Sequence, residues 1–159
     1  MMKLAIGSDK SGFLTKEAVR AHLDQAGIPY EDLGTVDPEQ VHPYYRVASD
    51  IAPKLQQGNF DFAVLICGTG AGMSVVANKF RGVYAVACES VYTAKMARAI
   101  NNANVLCMGG WVVGPEMAIE MVKAFLSTEW CQDLEDWRRE NMKRFAKEVN
   151  GIEGAIYGS

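Results

Sequence analysis

Residues 65–74 read Leu-Ile-Cys-Gly-Thr-Gly-Ala-Gly-Met-Ser. A thiol closes an apolar run and is followed at once by glycines in alternation. Such a loop ahead of a helix can turn its backbone N–H groups toward an oxyanion or a phosphate. The plainer reading of Gly68, Thr69, Gly70, Ala71 and Gly72 is a tight turn with no ligand. Cys67 is open to two readings as well. A buried reduced cysteine behaves as a small hydrophobe, whereas a helix N-terminus favours the thiolate. A thiolate beside an oxyanion nest is a base able to remove a proton alpha to a carbonyl.

Other residues invite the same weighing. Asp9 follows the first apolar run and reads as a helix cap or as an acceptor for a substrate hydroxyl. Asn101, Asn102 and Asn104 read as a turn and cap. In the stretch Asp-Trp-Arg-Arg-Glu-Asn, Arg138 and Arg139 form either a solvated face or an anion clamp reaching a partner subunit. Cys67, Cys88, Cys107 and Cys131 have no metal-ligand spacing, so no metal is expected. The glycine run also differs from a dinucleotide fingerprint, which opens the first strand–helix unit with GxGxxG and places an acid about 20 residues on. That weakens a flavodoxin-like nucleotide binder.

These residues need elements to hold them. Strand-like runs at 3–9, 28–34, 60–68, 82–88 and 104–110 alternate with helical patterns at 11–26, 44–57, 71–79, 90–100 and 114–126. Run 60–68 is apolar without alternation, as expected of a strand covered on both faces. The pattern predicts an α/β fold, with a parallel sheet, right-handed crossovers and helices on both faces. Ligands in such folds sit beyond the carboxyl ends of strands, where the strand order reverses. Asp9, Lys10, Cys67 with its loop, and Trp111 all fall at such ends. An amphipathic segment at about 130–149, carrying Trp130, Leu134, Trp137 and Phe145, extends past the sheet. Its apolar residues predict packing on a second subunit.

With 159 residues, one domain spanning 1–159 is expected. A net charge of -3 without a basic stripe argues against nucleic acid. No apolar run approaches the roughly 20 residues of a membrane span. The start, Met-Met-Lys-Leu-Ala-Ile-Gly-Ser-Asp, lacks the long apolar core of a signal peptide. Scattered thiols and no leader predict a cytoplasmic protein.

The order of Ile-Gly-Ser-Asp-Lys-Ser-Gly-Phe at 6–13, Asp-Leu-Gly-Thr at 32–35, the Cys-Gly-Thr-Gly-Ala-Gly block with Asn78-Lys79 beyond it, Asn101 to Gly110, and Val-Gly-Pro-Glu-Met-Ala at 113–118 carries a resemblance. Over roughly residues 3–130 the chain resembles the type B ribose-5-phosphate isomerase and galactose-6-phosphate isomerase family. The resemblance implies a three-layer αβα sandwich on a five-stranded Rossmann-like parallel sheet, no metal or organic cofactor, and a homodimer or dimer of dimers with shared active sites. It implies an aldose–ketose isomerase acting on a small-molecule sugar phosphate through a cis-enediol. Carried over by position, Cys67 becomes the proton-abstracting base, and Gly68 to Gly72 become the loop holding the enediolate. Asp9 and Asn101 become substrate-binding residues. Lys10 stands where many members have histidine.

The departures are specific. The family's ring-opening histidine falls at Ile100, which cannot move a proton, and an arginine that helps hold phosphate falls at Trp111. The C-terminal Gly-Gly-Arg-His segment is absent, leaving Arg138, or Arg139 by a one-residue shift, as the phosphate-binding counterpart. His42 lies where ribose-type members tend to have tyrosine and offers a proton carrier from another wall. A four-carbon sugar 4-phosphate cannot close a furanose ring, so Ile100 favours such a substrate. The competing expectation is that His42 has taken over ring opening. A non-catalytic sugar-phosphate-binding protein of the same fold is the alternative function.

Overall fold

The computed structural model describes residues 2–158; the two terminal residues of the expected 1–159 domain lie outside them. Five parallel strands, β1 (Leu4–Ser8), β2 (Tyr30–Asp32), β3 (Phe62–Cys67), β4 (Ala85–Ala87) and β5 (Val105–Gly109), run in the order β2-β1-β3-β5-β4. Six helices complete the chain: α1 (Phe13–Gln25), α2 (Tyr44–Gln56), α3 (Ala71–Ala77), α4 (Val91–Ala99), α5 (Pro115–Ser127) and α6 (Asp136–Tyr157). The expected α/β sandwich is thus present.

Alternating side chains of the strands feed two cores. Leu4, Ile6, Val64, Ile66, Leu106 and Met108 pack with α1, α4 and α5 through Val19, Leu23, Ala97, Met121 and Phe125. Ala5, Ala63, Leu65, Cys67, Val105 and Cys107 face the other way, onto Val47, Ile51 and Met73 of α2 and α3. Two covered faces explain why β3 reads as an unbroken apolar run. Each large side chain so buried contributes about 1.5–3 kcal/mol.

β1 is followed in sequence by β2 on one side and is paired with β3 on the other. The strand order therefore reverses between β1 and β3, which is where a crevice opens in open α/β sheets. Asp9 continues that pairing, its N–H donating to the Ile66 carbonyl at 3.2 Å.

Three expected elements change. β2 keeps only Tyr30–Asp32 of the run 28–34. β4 is three residues rather than the run 82–88, because Gly82 (φ 74°) turns the chain and Asn104 claims the Tyr84 N–H. The C-terminal helix does not span 130–149; it begins at Asp136 and ends at Tyr157. Cys131 and Asp133 take left-handed conformations (φ 64° and 57°), which a helix cannot continue through. Trp130 and Leu134 therefore sit in turns, with Leu134 buried, rather than on the helix. α6 buries none of its residues. It is tied to the β4 side by Glu153 accepting from Gly82 N–H, Arg81 donating to Gly158, and Tyr84 donating to Asn150. No helix among the described residues is long and apolar enough to cross a membrane.

Candidate active site

β3 carries Cys67 to the carboxyl edge of the sheet, where the chain turns straight back over it. Gly70 adopts φ 81°, a left-handed conformation that glycine takes without strain. That turn aims the Gly70 N–H at the Cys67 Sγ, 3.1 Å away, so the thiol sulfur accepts a backbone hydrogen bond. Among the described residues the N–H groups of Thr69 and Gly72 meet no backbone acceptor and remain available to an oxyanion. Cys67 is only 4% exposed, so a base there works largely shielded from water.

The loop is locked by its neighbour. Gly110 N–H donates to the Cys67 carbonyl at 2.7 Å and Trp111 N–H to the Gly68 carbonyl at 3.0 Å. A Cβ on Gly109 would stand 2.7 Å from the Thr69 backbone, and one on Gly70 2.9 Å from that of Met108. Glycines are required here by close backbone approach. Aromatic rings close the flanks: a Cβ on Gly68 would meet the Trp111 ring at 2.7 Å, and one on Gly72 the Tyr44 ring at 2.8 Å.

Asp9, at the end of β1, accepts from Gly12 N–H at 3.0 Å. Burial pushes its carboxyl above the usual aspartate range, against the lowering effect of the Gly12 and Ser11 N–H groups. Lys10 beside it is exposed. His42 reaches the same edge in the segment between β2 and α2. Its backbone is braced by Thr35, whose hydroxyl accepts from the His42 N–H at 3.1 Å. Thr35 is pinned in turn by Ser8 and by the wholly buried Lys16, whose ammonium binds the Thr35 carbonyl at 2.6 Å and pairs with Asp32. Thr35, Lys16 and Tyr44 were not among the expected site residues. Only Tyr44 carried a sequence signal, as an aromatic directly after His42-Pro43.

The structure does not bring Asn101 to Cys67 in the same chain. α4 runs back antiparallel to the strands, so its C-terminal end lies at the amino edge of the sheet. There Asn104 accepts from Ala63 N–H, beside the start of β3. Ile100, Asn101, Asn102, Trp130 and Phe145 line a cavity of about 410 Å³ under α6. Arg138, at the start of α6, pairs with Glu135 at 3.6 Å, and Arg139 donates through Nε to the Leu134 carbonyl at 2.7 Å. Of the two, Arg138 is the freer to bind an anion. The expected residues thus fall into two groups: Asp9, Lys10, His42, Cys67, Gly68–Gly72 and Trp111 at one edge, and Asn101, Arg138 and Arg139 away from it.

The profile of the Ribose/Galactose Isomerase family matches residues 4–142. The chain belongs to that family. It is 51% identical over 156 residues to a 4-deoxy-4-sulfo-D-erythrose isomerase of Clostridium sp. (strain MSTE9), covering 98% of each chain. It is 42% identical over 131 residues to D-erythrulose-4-phosphate isomerase 2 of Mycolicibacterium smegmatis, covering 81% of this chain and 86% of that one. The solved type B ribose 5-phosphate isomerase of Leishmania infantum superposes with a TM-score of 0.84 at 30% identity, covering 98% and 99% of the two chains. The family member described here is accordingly an enzyme of the aldose–ketose isomerase class.

Proposed function

We propose that this isomerase interconverts an aldose and a ketose of four carbons bearing a terminal anion, with Cys67 as the base. The observation that carries the reading is the Cys67 sulfur, buried within the glycine loop and accepting the Gly70 N–H, one strand from Asp9. The thiolate takes the proton from the carbon next to the carbonyl. The electron pair left behind forms a cis-enediolate, whose oxygens accept from the free N–H groups of the loop. Return of the proton to the neighbouring carbon completes the exchange of carbonyl and hydroxyl. A donor placed for the developing charge is worth about 2.7–4 kcal/mol. Asp9 orients a hydroxyl, and His42 serves proton transfer between the oxygens.

The four-carbon length follows from Ile100. A tetrose whose C4 carries phosphate or sulfonate has no free hydroxyl there to close a five-membered ring, so no ring-opening acid is needed. The names of the sulfo-erythrose and erythrulose-phosphate relatives support that length.

Asn101 and Arg138 come from a second copy in this proposal, the enzyme being a homodimer. The unburied α6, with Trp137 66% exposed and Ile152 62% exposed, supplies an apolar face for such assembly. Free thiols at Cys67, Cys88, Cys107 and Cys131 fit a cytoplasmic location. The test is exchange of solvent deuterium into four-, five- and six-carbon sugars with terminal phosphate or sulfonate. Exchange fastest into the four-carbon compounds is expected; none with any sugar, or a preference for pentose phosphates, defeats the reading.

A further inference from the structure

We infer that Thr35 is a positioning residue for the isomerisation, its buried hydroxyl holding His42 at the carboxyl edge of the sheet; this rests on the proton-transfer role proposed for His42 above. The Thr35 Oγ1 engages both backbone groups of His42. It accepts from the His42 N–H at 3.1 Å and donates to the His42 carbonyl oxygen at 3.4 Å. A hydroxyl can do both at once, having one proton and two lone pairs. The N–H belongs to the peptide plane before His42 and the carbonyl to the plane after it, so one hydroxyl restrains both. Thr35 is itself wholly buried and fixed. Its N–H donates at 2.8 Å to the carbonyl of Ser8, the residue before Asp9, and its own carbonyl accepts from the Lys16 ammonium at 2.6 Å. A buried ammonium is costly unless it is paired. Lys16 meets that need with Asp32 and Thr35.

The segment that carries His42 has little else to hold it. Val36 is 60% and Val41 48% exposed, and among the described residues the hydrogen bonds of 36–41 run only within the segment, from Glu39 and Gln40 to Asp37. On the far side Pro43 opens α2 without a side-chain cap, and α2 enters the core only at Val47. A group that moves protons between two substrate oxygens must stay within hydrogen-bond reach of both. A displacement of about 1 Å can cost about 10²-fold in rate. His42 in this role acts on the reacting protons and not on the grip of the substrate, so its displacement lowers kcat and leaves KM nearly unchanged. That split separates Thr35 from a residue that merely stabilises the fold.

The experiment measures kcat and KM on erythrulose 4-phosphate for the wild type, Thr35→Val, Thr35→Ser, His42→Ala and the double variant Thr35→Val with His42→Ala. Thr35→Val keeps the shape and removes the hydroxyl; His42 is exposed, so water can take over its freed backbone groups and the fold survives. Thr35→Val should lower kcat about tenfold or more with KM within about twofold. Thr35→Ser, which keeps the hydroxyl, should restore most of the rate. In the His42→Ala background, Thr35→Val should cost almost nothing further, because the residue it positions is gone. Equal losses in the valine and serine variants, or a loss from Thr35→Val undiminished without His42, overturn the inference. A measurement on the wild type alone stands beside these: the His42 amide should exchange with deuterium at least about tenfold more slowly than that of Val41, and equal rates would show no clamp. His42→Ala with unchanged kcat defeats the role of His42, and the inference with it. A wild type that turns over ribulose 5-phosphate but not erythrulose 4-phosphate defeats only the four-carbon reading, and the variants are then ranked on the pentose.

Discussion

At the carboxyl edge of the sheet, the Cys67 loop is held by two backbone–backbone hydrogen bonds, by the Gly70 N–H on the thiol sulfur and by glycines that tolerate no Cβ. At the far end of α4 and the start of α6, Asn101 and Arg138 stand exposed or half-exposed beside a helix that buries nothing. One region is complete within a single chain, and its geometry is overdetermined. The other has side chains suited to binding an anion or a hydroxyl but no reacting group of its own. Proton transfer of the kind proposed for Cys67 demands a base placed to within fractions of an ångström, and a locked loop is suited to that. In the proposed dimer, the binding groups and subunit contacts would tolerate looser support until the second copy orders them.

That contrast can be broken most directly at the base. Cys67→Ala should lower turnover by about 10²–10⁴-fold with the fold intact, because a general base contributes that much. Steady-state kinetics with a thermal melt checks it, and retention of a tenth of wild-type turnover would move the base elsewhere. Replacing Cys88, Cys107 or Cys131 by alanine should cost packing energy alone.

The locked geometry is probed next. Gly70→Ala forces a side chain into φ 81° and against the Met108 backbone, so a stability loss of about 1–3 kcal/mol should accompany a large fall in kcat. An unchanged melting temperature would show that the loop is softer than its contacts imply.

Arg138→Ala tests the other region. Loss of a charge-assisted hydrogen bond worth about 1.5–3 kcal/mol should raise KM about tenfold or more and leave stability nearly unchanged. Refolding Arg138→Ala together with Cys67→Ala should restore activity, since a mixed dimer would assemble one intact site. No recovery in the mixture, with dimers present, contradicts the shared site.

The smallest effect concerns Asp9. Burial raises its folded-state pKa above the unfolded value of about 3.9. Its stabilising contribution is therefore full below that value and is lost as pH rises through the folded pKa. At neutral pH the buried charge is a burden, so Asp9→Asn should be more stable than the wild type there, with the gap closing in acid. The same change should slow catalysis. A variant less stable at pH 7 than at pH 4, relative to wild type, reverses the sign and refutes the argument.

Hydropathy and turn residues sufficed to place five strands alternating with helices, and to put Asp9, Cys67 and Trp111 at strand ends, because both patterns are local. The alternation also implied that a helix after β4 returns to the opposite edge, which puts Asn101 away from Asp9 within one chain; in the shared-site reading it would serve a second copy. The late start of α6 was hidden because the left-handed Cys131 and Asp133 are not glycines. Ile100, Trp111 and the Cys67–Gly72 loop are legible as residue types, and with them the choice of chemistry. Stacking of Trp111 on Gly68, cover of Gly72 by Tyr44, and bracing of His42 through Thr35 and Lys16 were decided by the tertiary structure alone. Each joins residues far apart in sequence, and packing between such residues depends on the relative placement of whole elements, which no local pattern encodes.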